Sequence, residues 1–139
     1  MSTAARRYYV RGRAALERGD TDVAIDSLAS AIDLAPHFGD ARLAYAVALC
    51  RLGDTPRAAQ TLRAGLGYAR SPAARAALSL SLGEVLTTAG DFTGAEDAFA
   101  QAASHPPFAG RAAAGRARVL AKTGRYGDAV AAMLAAARR

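Results

Sequence analysis

Small and bulky apolar residues alternate along this chain in an order that returns four times. Each return is marked by a glycine and a polar residue: Gly19-Asp20, Gly53-Asp54, Gly90-Asp91 and, as an imperfect copy, Gly124-Arg125. These glycines are spaced by 34, 37 and 34 residues. Five residues after each comes an alanine (Ala24, Ala58, Ala95, Ala129), four later a bulky apolar residue (Leu28, Leu62, Phe99, Met133), and three later a small one (Ala31, Gly65, Ala102, Ala136). Seven residues before each glycine lies another small residue (Gly12, Ala46, Gly83, Ala117), followed three residues on by Ala15, Leu49, Leu86 and Leu120. Steps of three and four keep residues on one face of a helix. Each copy therefore reads as two helices. The glycine takes a left-handed conformation that ends the first, and the following Asp accepts from free N–H groups at the start of the second. Small residues let the paired helices approach closely, while Leu28, Leu62, Phe99 and Met133 fill the space between copies. The pattern predicts an all-α chain of about eight helices.

This period and residue order resemble the tetratricopeptide repeat, a helix-turn-helix unit of about 34 residues. The resemblance covers nearly the whole chain, as one domain over residues 1–139 with repeats at about 5–38, 39–72, 76–109 and 110–139 and three residues inserted after Pro72. Pro36 and Pro107 fall where the family closes a repeat, and in the second repeat that proline is displaced to Pro72. The resemblance implies a right-handed superhelical solenoid whose concave wall is lined by the first helices.

Some positions depart from the family pattern. The residue before the first-helix small position, normally Leu, is Arg11, Tyr45, Leu82 and Arg116. The aromatic expected nearby occurs only as Tyr8, with Arg42, Ser79 and Ala113 elsewhere, which implies first helices that are slightly rotated or loosely packed. The last helix, roughly Tyr126 to Ala137, carries Val130, Met133, Leu134 and Ala137 at i, i+3, i+4, i+7 spacing. No capping helix follows it, so this face is expected either to be covered by a partner or a second copy, or to be only weakly apolar.

Composition narrows the classes. Of 139 residues 38 are alanine, tryptophan is absent and aromatics are 6%, which disfavours a sheet protein. Every apolar stretch is interrupted before the roughly 18–20 residues that a membrane span requires, and no apolar core follows the early arginines as in a secretory leader. A cytoplasmic protein fits these features, and a single cysteine agrees with a reducing compartment. Net charge is +6, with 17 Arg to one Lys. Arg suits bidentate contact with carboxylate or phosphate, but an Ala- and Arg-rich composition also follows from a GC-rich coding sequence. Over segments 5–38, 39–72, 73–109 and 110–139 the net charges are 0, +3, −3 and +6, so the basicity resides in the last repeat.

Carrying the family's groove positions across gives Arg6, Tyr9, Arg13, Leu16 and Glu17 in the first repeat, and Asp40, Leu43, Val47, Cys50 and Arg51 in the second. The third supplies Ala77, Leu80, Glu84, Thr87 and Thr88, and the fourth Arg111, Ala114, Arg118, Ala121 and Lys122. The result is an apolar centre of Leu43, Val47 and Leu80 with basic ends, suited to a partner peptide or helix with apolar anchors and acidic flanks. The alternative is that the arginines only solvate an exposed face. The family's clamp for a C-terminal carboxylate is not reproduced, because its Lys and Asn positions fall on Tyr9, Arg13, Ala44, Ala77 and Ser81.

No chemistry-bearing constellation emerges. His37 and His105 are 68 residues apart with no Cys or carboxylate at ligand spacing. Cys50 has no His near it, and Gly65-Leu66-Gly67 lacks the strand and downstream acid of a dinucleotide loop. A nucleic-acid surface would use Arg111, Arg116, Arg118, Lys122 and Arg125, but stacking aromatics are missing apart from Tyr126 and the acidic third repeat interrupts the track. The expectation is a non-enzymatic adaptor or scaffold without cofactor or metal. The alternatives are a secretion- or assembly-type chaperone holding a client segment, and a structural protein self-assembling through the last helix.

Overall fold

The computed structural model describes residues 1–138, so the end of the fourth predicted repeat, Arg139, lies outside the described residues. Among the described residues eight helices follow one another: α1 (Thr3–Arg18), α2 (Thr21–Leu34), α3 (Gly39–Arg51), α4 (Thr55–Tyr68), α5 (Pro72–Ala89), α6 (Phe92–Ala103), α7 (Pro106–Lys122) and α8 (Tyr126–Ala137). No strand occurs among the described residues.

The four marker glycines have φ of 79, 80, 85 and 80°, and no other described residue has a positive φ. Each ends its helix in the same way. The glycine N–H bonds to the carbonyl three residues back, and the next residue donates to the carbonyl five back: Asp20 to Ala15, Asp54 to Leu49, Asp91 to Leu86 and Arg125 to Leu120. Carbonyls otherwise orphaned at a helix end are thereby satisfied. The side chains of Asp54 and Asp91 then cap α4 and α6, accepting from Arg57 N and Gly94 N at 3.2 and 3.0 Å. Asp20 departs from expectation, as its side chain makes no cap bond to α2. Asp22 in the first turn supplies the favourable negative charge there instead.

Proline also acts differently from the predicted pattern. Pro72 and Pro106 are the first residues of α5 and α7, so Pro72 and Pro107 open the next first helix rather than close a repeat. A proline in the first turn sacrifices no helical hydrogen bond, and its fixed φ already suits the helix. These helices therefore begin four residues ahead of the predicted repeat starts at 76 and 110.

The chain forms two compact units, Met1–Ala69 and Arg70–Arg139. In the first, α1 pairs with α2 and α3 with α4, α2 packs on α3, and α1 lies beside α3. In the second, α5 pairs with α6 and α7 with α8, α6 packs on α7, and α5 lies beside α7. Alanine makes these packings possible: Ala24, Ala58 and Ala95 are fully buried and Ala129 nearly so. Leu28 is buried against Gly12, where an added Cβ would lie 2.5 Å from its Cγ, and shares a core cluster with Ala44 and Ala48. Phe99, the equivalent residue in the second unit, is gripped on two sides. An added Cβ would lie 2.7 Å from its ring at Gly83 and 2.4 Å at Gly115.

Met133 does not repeat this role. It is 48% exposed, and the one buried residue of α8 is Ala129. The helix instead exposes Tyr126, Val130, Met133 and Leu134, because among the described residues no further helix packs on it. The loose first helices expected at Arg42 and Ser79 are not found either, since the two residues are only 7% and 2% exposed. Arg42 is accommodated by donating from Nε to the Pro36 carbonyl (2.8 Å) and from Nη1 to the carbonyl and hydroxyl of Thr61 (3.2 and 3.1 Å). Arg11 and Arg116, at the neighbouring position, are exposed and need no such provision.

Candidate partner-binding clefts

The first helices of each unit lie side by side and leave a cleft between them. In the first unit, Tyr9, Arg13, Leu16 and Glu17 on α1 face Asp40, Leu43, Ala44, Val47 and Arg51 on α3 across about 380 Å³. Steps of three and four along both helices bring these side chains to one wall. Leu43 is half-buried and Val47 is 46% exposed, so the floor offers an aliphatic contact strip. A neighbouring recess shares Tyr9 and Asp40 and adds Arg6, Val10, His37 and Phe38. Tyr9 is fixed between the two by its ring contact with Phe38, centroids 4.8 Å apart.

The cations of this cleft are already engaged. Arg13 Nη1 donates to Tyr9 Oη at 2.8 Å and its guanidinium lies 5.8 Å from the same ring. That hydrogen bond, with the negative potential of Tyr9, Glu17 and Asp40, raises the Arg13 pKa above its usual value. Arg51 Nη1 donates to the Leu16 carbonyl at 2.8 Å, linking α3 to the last turn of α1. With Glu17 and Asp40 on the same wall, the cleft is of mixed charge.

In the second unit, Glu84, Thr87 and Thr88 on α5 face Arg118 and Lys122 on α7 around a recess of about 480 Å³, with Phe99 beneath. Arg111 sits at its margin, 4.0 Å from Glu84. Leu80, expected in an exposed apolar centre, is only 3% exposed and belongs to the core. The predicted residues are thus brought together in two sets, Tyr9, Arg13, Leu43, Val47 and Arg51 in one unit and Glu84, Arg118 and Lys122 in the other. Cys50 is half-buried, and burial raises its thiol pKa, which keeps it protonated and weakly nucleophilic. Among the described residues no group of three or more His, Cys, Asp or Glu is placed to hold a metal ion. Among the described residues no helix is long and apolar enough to cross a membrane.

Paired antiparallel helices joined at a left-handed glycine, with small residues at each crossing, define a helical-hairpin repeat protein. Two family models, both described as tetratricopeptide repeat, match residues 15–80 and 80–139. The chain belongs to the tetratricopeptide repeat family. At the level of sequence, no curated protein matches it. Among solved structures it is similar to PilF of Pseudomonas aeruginosa (TM-score 0.82, 22% identity), covering 97% of this chain and 60% of that one. It is also similar to residues 41 to the end of MamA from Desulfovibrio magneticus RS-1 (TM-score 0.81, 17% identity), covering 96% of this chain and 74% of that one. A thermophilic tetratricopeptide repeat protein of Thermus thermophilus matches with a TM-score of 0.77 and 21% identity, covering 96% of this chain and 73% of that one. These likenesses show a shared fold, and the tetratricopeptide repeat family serves in general as a scaffold for protein interaction.

Proposed function

We propose that this protein is a non-catalytic adaptor that holds a short segment of another protein in the α1–α3 cleft. The observation that carries this reading is the aliphatic strip of half-buried Leu43 and exposed Val47 beside the fixed ring of Tyr9, on a wall whose backbone is set by packed helices. Apolar anchors buried at the centre of such a surface supply most of the binding energy, and rim charges mainly orient the partner. Arg13 and Arg51 are held by Tyr9 and Leu16, and Glu17 and Asp40 stand beside them. The segment that fits here has an aliphatic anchor with flanks of both signs, rather than acidic flanks alone.

Val47→Asp tests the reading, because the position is half exposed and the substitution puts a charge into the apolar strip without opening a core cavity. In affinity capture from the native host, the variant is expected to lose partners that the natural protein retains, with its far-ultraviolet circular dichroism unchanged. An unchanged partner set for a folded variant refutes the α1–α3 assignment.

A further inference from the structure

We propose that the outer face of the α1–α2 hairpin is a self-complementary docking surface, on which a second copy of this chain lays its α2 over α1 and its α1 over α2. The basis is a charge segregation that the zero net charge of residues 5–38 conceals. α1 carries five Arg and one Glu, whereas α2 carries three Asp and no base. Arg7, Arg11 and Arg18 fall at i, i+4 and i+11 along α1, and Asp22, Asp26 and Asp33 fall at i, i+4 and i+11 along α2. Each set therefore forms a row on one face of its helix. All six residues are exposed, while Ala5, Gly12 and Ala15 of α1 and Ala24, Leu28 and Ala31 of α2 turn inward. None of the six forms an ion pair among the described residues. The repeat fold does not require these charges. Where the first repeat has Arg7 the later repeats have Ala41, Leu78 and Ala112, all buried, and where it has Asp22 they have Pro56, Thr93 and Gly127. Asp33 even stands in the last turn of α2, where the helix dipole disfavours a carboxylate.

Antiparallel geometry matches the two rows. A two-fold axis running along the helices sets α1 of one copy against α2 of the other, in opposite directions. Both rows span eleven residues, about 16.5 Å at the rise of an α-helix. Arg7 then meets Asp33 of the second copy at one end, and Arg18 meets Asp22 of the second copy at the other. Arg11 and Asp26 fall about 4.5 Å apart along the axis, an offset that a long arginine side chain spans. The symmetry repeats each contact, so both rows of both copies are used and the assembly closes at two. Val10, Val23 and Leu34, exposed to 64, 37 and 52% beside the rows, add apolar contact. Surface ion pairs contribute little each and are screened by salt, so the dimer is weak and salt-sensitive. A foreign anionic surface fits less well, because the Asp row beside the Arg row repels it. The rows do not include Tyr9, Arg13, Leu43 or Val47, so the proposal holds whether or not the α1–α3 cleft takes a partner.

The test is sedimentation equilibrium of the full chain between about 10 and 500 µM, at about 50 and 500 mM salt. A reversible monomer–dimer equilibrium is expected at low salt, weakening at least about fivefold at high salt. Arg7→Glu, Arg11→Glu and Arg18→Glu together give a chain acidic on both helices, and Asp22→Arg, Asp26→Arg and Asp33→Arg together give one basic on both. Each alone is expected to lose self-association by at least about tenfold, because every attraction becomes a repulsion. Mixed, the two are expected to form a 1:1 complex at least about tenfold tighter than either forms with itself. Arg63→Glu, Arg118→Glu and Lys122→Glu together put the same charge change on other exposed positions, and this control is expected to pair with the basic chain at least about tenfold more weakly than the acidic chain does. Circular dichroism checks the fold of each, and Arg7→Gln with Arg18→Gln is a gentler variant, expected to weaken the dimer at least about threefold. No dimer of the natural chain, a mass rising beyond the dimer, or equal pairing of the control and acidic chains with the basic one each overturns the proposal. So does binding of the natural chain to phosphatidylglycerol vesicles without self-association, which would give the arginine row to a membrane surface.

Discussion

Arg42 stands where the family pattern has an aromatic residue, and the structure shows how a charge can take that place. Its guanidinium lies 5.5 Å from the ring of Tyr68 on α4, so the ring missing from α3 is supplied by the paired helix. Desolvation by burial lowers the Arg42 pKa, partly offset by Tyr68, yet three polar contacts to Pro36 and Thr61 keep the charge tolerable. Arg42, on α3, therefore ties the loop between α2 and α3 to α4. Arg42→Ala is expected to lower stability by about 1–3 kcal/mol, the usual cost of leaving buried acceptors unpaired. Arg42→Lys should recover only part of that loss, because a point charge cannot make the same fork of contacts. Urea denaturation followed by circular dichroism measures both, and a change within experimental error for Arg42→Ala would show that the tie is dispensable. Arg13 and Arg51 teach a related lesson. Sequence placed them on the cleft wall, but not the phenol and carbonyl that engage them.

At the scale of the elements, the helix pairs were legible because a single feature, glycine followed by a polar residue, recurs with a fixed set of small and bulky positions around it. The expectation that glycine ends the first helix is met at Gly19, Gly53, Gly90 and Gly124. Helix starts were less legible, since a proline between two helices can close one or open the next, and Pro72 and Pro106 open theirs. At α8 two expectations from the sequence diverge: Met133 has the spacing of Leu28, which predicts burial, but its face is also predicted to lie uncovered within the chain, and the exposure of Val130, Met133 and Leu134 agrees with the second. Gly115 was missed because an alanine-rich helix offers many small positions, and only contact with Phe99 distinguishes this one. The equivalent residue of the second repeat, nine before its marker glycine, is Ala44, which shares a cluster with the smaller Leu28. A larger side chain in the second unit thus goes with a smaller opposing residue. Two substitutions on α7 separate packing from propensity. Gly115→Ala drives a methyl into the Phe99 ring and is expected to cost about 1–3 kcal/mol. Gly110→Ala, with nothing within 4 Å of its Cβ, is expected to stabilise by about 0.5–1 kcal/mol through lower chain entropy. Equal signs in a thermal melt would refute this division.

For the whole molecule, the abundance of alanine has an energetic consequence. Backbones packed through alanine and glycine leave few bulky residues in each unit, so stability concentrates on those that remain, among them Leu28, Leu49 and Leu62 in one and Leu78, Phe99 and Leu120 in the other. Changes that act on different bulky residues should then be independent, and changes that act on one should couple. Gly12 meets Leu28, whereas Gly83 and Gly115 both meet Cζ and Cε1 of Phe99. A methyl added at Gly115 can be relieved by moving the ring toward Gly83, and one at Gly83 by the reverse, but with both present neither escape is open. Gly83→Ala with Gly115→Ala is accordingly expected to cost at least about 0.5 kcal/mol more than the sum of the single changes. Gly12→Ala with Gly115→Ala, which share no partner, should add to within about 0.5 kcal/mol. Urea denaturation of the singles and both doubles closes the two cycles. Additivity in the Phe99 pair would mean that the ring relaxes along a path free of both glycines, and that the small residues of this family member tolerate more bulk than the close approach of its helices implies.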